Sequence, residues 1–233
     1  PGKLDVKKSK VLSVPRYHQR RAVNKLLSDV RSKGVGQKYL IQHAAGSGKS
    51  NTISWLAHRL SDLYQNPDDP KSLFDTTIVV TDRRVLDKQI QNNIRQFEQV
   101  PGAVAYIDEN KTSQDLREAI ENGSRIIVTT LQKFPIISDS VSHFSDRNFA
   151  VIIDEAHSNQ SGSAADNMNR AMGKINSEED EGDPQDKILE AMRSRKMRGN
   201  ASYLAFTATP KNNTLEKFGV PQEDGSFKPF HLY

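Results

Sequence analysis

The sequence predicts an α/β fold of three layers: a parallel sheet with helices on both faces. Two observations predict it. The strand-like segments are unbroken apolar runs, as in "TTIVV", "RIIVTT" and "FAVIID", and strands of that kind are buried on both faces. They alternate with segments whose apolar residues recur at helical spacing, the βαβ pattern of a parallel sheet. A third feature, the glycine-rich "GSGKS" between a strand and a helix, selects the phosphate-loop nucleotide-binding version of that fold.

The elements follow in chain order. Residues 1–14 are basic and polar, a predicted flexible lead-in. Ala22, Val23, Leu26, Leu27 and Val30 line one face of a helix that starts near Arg16, and Gly34 and Gly36 close it. "KYLIQH" is a short buried strand that runs straight into the glycine loop. Ile53, Leu56, Ala57 and Leu60 then mark a helix that "NPDDP" breaks. "TTIVVTD" reads as a strand, "RRVLDKQIQNNIRQF" as a helix and "AVAYI" as a strand. Ser113 is the expected cap of the helix "QDLREAIEN", which Gly123 ends. "RIIVTT" and "FAVIIDEA" are strands, two helical stretches flank "SEEDEGDPQD", and "ASYLAFTAT" is a last strand stopped by Pro210. The pattern assigns residues 15–220 to one lobe and residues 221–233 to the start of a connection onward. There is no internal repeat.

Composition narrows the class. The 233 residues carry a net charge of +4 and a pI near 9.2, which permits a polyanionic partner without requiring one. No cysteine is present, so disulfides and thiolate metal sites are excluded. The six histidines lack paired ligand spacing, and no structural metal is expected. No apolar run approaches membrane-spanning length, and "PGKLDVKKSK" is not a signal peptide. An intracellular, cytoplasmic protein is therefore expected. The absence of an initial Met and the abrupt "GSFKPFHLY" suggest a piece of a longer chain. The acidic stretch Glu178 to Asp186 reads as a solvated loop between helices, or as a contact or gate near a bound polyanion.

The chemistry is concentrated in two places. In "HAAGSGKSNT", the backbone of Ala45, Gly46, Ser47 and Gly48, running into Lys49, Ser50 and Asn51, forms a predicted phosphate cradle. Its N–H groups and the helix N-terminus attract anionic oxygens. Lys49 supplies a charge to the β- and γ-phosphates, and the Ser50 hydroxyl is a ligand for Mg²⁺. The strict pattern has glycine where this chain has His43, on the strand side of the residues that do the chemistry. Downstream, "VIIDEAH" ends a buried strand in two carboxylates. Asp154 is suited to hold Mg²⁺ and Glu155 to orient an attacking water.

Asp154-Glu155-Ala156-His157 has the form of a DEAH box. With "RYHQ" (Arg16 to Gln19), "VVTDRRVLDKQ" (Val79 to Gln89), "VTTLQKF" (Val128 to Phe134) and "FTATP" (Phe206 to Pro210), the ordered set resembles the first RecA-like motor lobe of superfamily 2 helicases and translocases. The wording "PRYHQRRAV", "HAAGSGKSNTISWLA", "TTLQKF", "IIDEAHSNQSG" and "FTATPKNNTLEKFG" is more specifically similar to the restriction (R) subunit of type I restriction–modification enzymes. That resemblance covers Arg16 to Pro210.

The resemblance implies an ATP-dependent translocase of double-stranded DNA, working with the modification (M) and specificity (S) subunits in a bacterial or archaeal cell, with ATP and Mg²⁺ as cofactors. It implies that Gln19, with Arg16, reads the adenine edge. It also implies that His157 couples the ATP site to the "FTATP" segment through Thr207 or Thr209. Arg83, Arg84, Lys88, Thr130 and Lys133 are candidates for phosphate-directed, sequence-independent DNA contacts; a solvated helix face is the plain alternative for the basic ones. Asn159 departs from the family's "HRSQ" wording, which removes support for a phosphate or DNA contact there.

A second lobe, with the arginine that would complete ATP cleavage, and the family's nuclease are not found in the sequence. Glu109-x-Lys111 has nuclease-like spacing but lies between the motor motifs, so a surface loop is the better reading. Two other functions compete with the translocase: a strand-separating helicase lobe of another superfamily 2 branch, and a nucleotide-binding module without turnover.

Overall fold

The computed structural model describes residues 14–44, 46–81, 84–98, 102–108, 110–130, 133, 137, 140–141, 143–154 and 199–232, with backbone alone for 84–89, 97 and 213. The strands are β1 (Lys38–Gln42), β2 (Thr76–Thr81), β3 (Val104–Ile107), β4 (Ile126–Thr130), β5 (Phe149–Asp154), β6 (Ala201–Thr207), β7 (Val220–Pro221), β8 (Phe227–Lys228) and β9 (His231–Leu232). The helices are α1 (Tyr17–Lys33), α2 (Lys49–Ser61), α3 (Arg84–Phe97), α4 (Ser113–Glu121) and α5 (Asn212–Phe218). Among the described residues, one sheet has the order β3-β4-β2-β5-β6-β1-β9, with every pairing parallel. The expected α/β architecture is the observed one.

Apolar runs explain the layering. Every residue of β2, β4, β5 and β6 is buried, because side chains alternate between two covered faces. Tyr39, Ile41, Val79, Val128, Ile152, Leu204 and Phe206 pack with α1, α2 and α3 residues in one core. Leu40, Ile78, Val80, Ile127, Val151, Ile153 and Ala205 pack in the other with Leu116 and Ile120 of α4 and Phe218 of α5.

Three features differ from the sequence pattern. The N-cap of α4 is Thr112, and Ser113 is the first helical residue. Asp115 decides this. Its carboxylate accepts from the Thr112 backbone N–H at 2.6 Å, while its own N–H donates to Thr112 Oγ1 at 3.4 Å, a reciprocal capping box. Next, the strand stops before Pro210 as expected, but the helix α5 that follows was not assigned from the sequence. Finally, residues within 221–233 supply β8 and β9, and β9 adds a parallel strand beside β1. Phe230 secures that edge: its ring meets Tyr39 edge-on at 5.0 Å and lies 4.4 Å from the Lys25 ammonium.

Phe149 is fully buried at the start of the central strand β5. Phe149→Ala is expected to cost about 3–5 kcal/mol and Thr112→Ala about 1 kcal/mol, both measurable by urea denaturation. Equal, small effects would contradict the packing and capping described.

Candidate nucleotide site

Parallel pairing brings the C-terminal strand ends to one edge of the sheet. Register aligns Thr130 of β4 with Thr81 of β2, Thr81 with Asp154 of β5, and Asp154 with Phe206 of β6. Phe206 in turn aligns with Ile41 of β1. The loop from β1 to α2 leaves from this row. Ligands of open parallel sheets bind outside such an edge.

Two left-handed glycines shape that loop, Gly46 at φ 76° and Gly48 at φ 87°. Gly48 is also the N-cap of α2. The left-handed backbone favours glycine there, and a β-carbon would have to displace the Gln19 side-chain amide. The first turn of α2 holds no carboxylate, which leaves its positive end available to an anion.

Lys49, the first residue of α2, sends its ammonium to within 3.0 Å of Asp154 Oδ1. The Asp154 side chain is buried, at 1% exposure, and that of Lys49 is half-buried, at 15%. Among the described residues Asp154 Oδ1 nevertheless has no aligned hydrogen-bond donor, so the contact is a Coulombic one rather than a directed hydrogen bond. Thr81 Oγ1, on the strand paired with β5, is likewise buried with no hydrogen-bond partner among the described residues. Buried oxygens left without donors at one strand edge suit a hard cation or its bound water, so the residues present fit Mg²⁺.

Gln19 is 2% exposed. Its Oε1 accepts from the Arg16 backbone N–H at 2.8 Å, and its Nε2 donates to Gly48 O at 2.9 Å. His18 Nε2 lies 3.2 Å from Ser47 O. The start of α1 therefore holds the glycine loop from outside. Asn93 of α3 donates to Asn51 Oδ1 of α2 at 2.7 Å, which ties the phosphate-loop helix to the helix after β2.

His43 is fully buried. Its ring nitrogens meet Ser47 Oγ and, at 3.1 Å, Thr52 Oγ1. Its backbone N–H donates to Thr207 O of β6 at 2.7 Å. Burial pushes its pKa down to about 4; an Ala44 backbone contact opposes the shift, and the charge of Lys49 assists it.

The remaining sequence candidates are spread more widely. Glu155, His157, Ala45, Arg83, Asn159, Glu109 and residues 178–186 lie outside the described residues. Arg84 and Lys88 lie on α3. Thr130 is buried at the end of β4, and the Lys133 ammonium donates to Lys111 O. Thr207 is buried at the end of β6, and Thr209 is exposed just beyond it. Ser50 follows Lys49 in the first turn of α2, and Arg16 is exposed at the N-cap of α1. Sequence reasoning passed over His18, Thr81 and Asn93. The first adjoins Gln19 in "RYHQ"; the other two reach the site only through tertiary pairing.

A strand, glycine loop and helix facing an acidic strand end across a parallel sheet define the RecA-like lobe of helicases. The SWI2/SNF2 ATPase family model matches residues 18–224, and the chain belongs to that family. It is 28% identical over 204 residues to a Methanocaldococcus jannaschii protein assigned by name as the type I restriction enzyme MjaIXP endonuclease subunit, covering 83% of this chain and 16% of the relative. A second protein of that organism, assigned likewise for MjaVIIIP, is 23% identical over 233 residues, covering 90% of this chain and 20% of the relative. The chain thus spans a fifth or less of these relatives' length. In fold it is similar to a nuclease-deletion mutant of the Type ISP restriction-modification enzyme LlaGI, solved in complex with a DNA substrate mimic. That likeness has a TM-score of 0.53 at 13% identity, over 85% of this chain and 18% of that one. Among the described residues, no helix is long and apolar enough to cross a membrane.

Gly48→Ala is expected to cost about 1–2 kcal/mol from the left-handed backbone alone and to push Gln19 off the loop. An unchanged melting temperature would refute this. The depressed pKa of His43 has its own signature. Below the ordinary value of 6.5, the unfolded chain takes up a proton that the folded chain refuses until about pH 4. This contribution is complete above pH 6.5 and is lost as pH falls through that window. His43→Asn should flatten that part of the stability profile, measured by denaturant titration at successive pH values.

Proposed function

We propose that this chain is the ATP-binding first motor lobe of an ATP-dependent translocase of double-stranded DNA, in the restriction (R) subunit of a type I restriction endonuclease. The observation that carries the reading is the contact of Lys49 with the buried Asp154 at the mouth of the glycine loop. It joins a phosphate-binding cation to a metal-binding carboxylate.

In this reading the N–H groups of Gly46, Ser47 and Gly48 and the N-terminus of α2 receive the phosphates, and Lys49 turns from Asp154 toward them. Ser50 and Asp154 would hold Mg²⁺, which, when bound, neutralises charge on the phosphates. Glu155 orients the attacking water. Gln19 and Arg16 serve the adenine, and Gln19 combines that with its hold on Gly48. His157 with Thr207 or Thr209 links nucleotide state to DNA grip. Arg83, Arg84 and Lys88, following β2, meet the DNA backbone together with Lys133 and Thr130. The M and S subunits supply site recognition. Efficient cleavage needs an arginine from a second lobe.

Triplex displacement by the whole restriction complex tests this. Lys49→Ala should reduce ATP-driven displacement to background while DNA binding persists. Undiminished displacement would refute the motor role. Strand separation without displacement would favour a helicase of another superfamily 2 branch. Nucleotide binding with no DNA-stimulated turnover in the complex would favour a binding module.

A further inference from the structure

The position where a strict phosphate loop has glycine is filled here by a wholly buried histidine that touches both arms of the loop. We propose that His43 is a positioning residue for nucleotide binding: as its Nδ1–H tautomer, it braces Ser47 against α2 and so holds the glycine loop in its phosphate-receiving shape. This rests on the nucleotide reading of the site.

Hydrogen allocation leads to the tautomer. The Ser47 hydroxyl has one hydrogen, which it donates to Ala44 O. Ser47 Oγ therefore accepts from His43 Nδ1, and that nitrogen must carry the ring proton. His43 Nε2 is then an acceptor, facing Thr52 Oγ1 at 3.1 Å. Thr52 Oγ1 also lies 3.2 Å from Gly48 O, but that carbonyl already receives the Thr52 N–H at 3.1 Å and Gln19 Nε2 at 2.9 Å. Giving the threonine hydrogen to the imidazole supplies Nε2, while Ala44 O takes the Ser47 hydroxyl together with the Ser47 N–H at 3.2 Å.

The ring then spans from Ser47, inside the loop, to Thr52, within α2. Both lie on either side of Gly48 and Lys49. At the back, the His43 N–H donates to Thr207 O, and its ring sits 6.3 Å from that of Phe206. The loop is thereby referenced to β6 as well as to its own strand. A glycine at this position would leave Ser47 without its donor and a space in the core.

The test is ADP–Mg²⁺ titration of the full chain by calorimetry, with ¹⁵N imidazole shifts read on the unaltered protein. Asparagine keeps a donor near the Nδ1 position, whereas glutamine places its amide near Nε2. His43→Ala and His43→Gln should each weaken ADP by about tenfold or more, the scale of one lost hydrogen-bonded contact. His43→Asn should recover most of that loss. Ser47→Ala should match His43→Ala, and the double substitution should be no worse than either. Unchanged affinity in folded His43→Ala, or an Nε2–H tautomer in the unaltered chain, would overturn the proposal. If His43→Ala does not fold, the Asn/Gln contrast and the tautomer decide it. No ADP binding by the unaltered chain would instead sink the nucleotide reading, while the tautomer measurement still stands by itself.

Discussion

The carboxylate of Asp154, at the end of β5, is almost wholly inaccessible to water. A charge in that setting needs a counter-charge, because desolvation costs more than an unpaired ion recovers. Lys49 provides it from the N-terminus of α2 at 3.0 Å. The pair constrains much else. It requires β1 and β5 to end at one level, and it requires the loop between β1 and α2 to turn tightly enough for α2 to start over β5. Among the described residues Oδ1 has this ion pair and no directed hydrogen bond.

The loop that meets this requirement is supported on three sides. From α1, Gln19 and His18 reach the carbonyls of Gly48 and Ser47. From the core, the His43 ring engages Ser47 and Thr52. From β6, Thr207 O accepts the His43 N–H. Each contact comes from a segment that shares the superfamily 2 wording: "RYHQ", the glycine loop itself and "FTATP". Through these contacts the loop is tied to α1 and β6 at once. The link from Asn51 to Asn93 extends the same connection to α3.

The parallel sheet and its covering helices were legible in the sequence, because burial on both faces writes itself as uninterrupted runs such as "IIVTT" and "FAVIID". The smaller elements were not. A two-residue strand such as His231–Leu232 has no periodicity to read, and it exists only because β1 offers an unpaired edge. The cap of α4 fell to Thr112 rather than Ser113 because a carboxylate three residues on closes the ring. Thr81 looked like a strand end and nothing more; it joins the site through its pairing with Asp154.

By itself, the sequence determined the α/β class and the order of the main elements, and it singled out the candidate residues for phosphate and metal. These depend on local spacing and on residue chemistry. Only the tertiary structure decided which of those residues meet. It brought Lys49 to Asp154, turned Gln19 onto Gly48, and changed His43 from a departure from the loop pattern into part of its support. The reason is that strand order and register are long-range properties, set by how the strands and their helices bury their surfaces together.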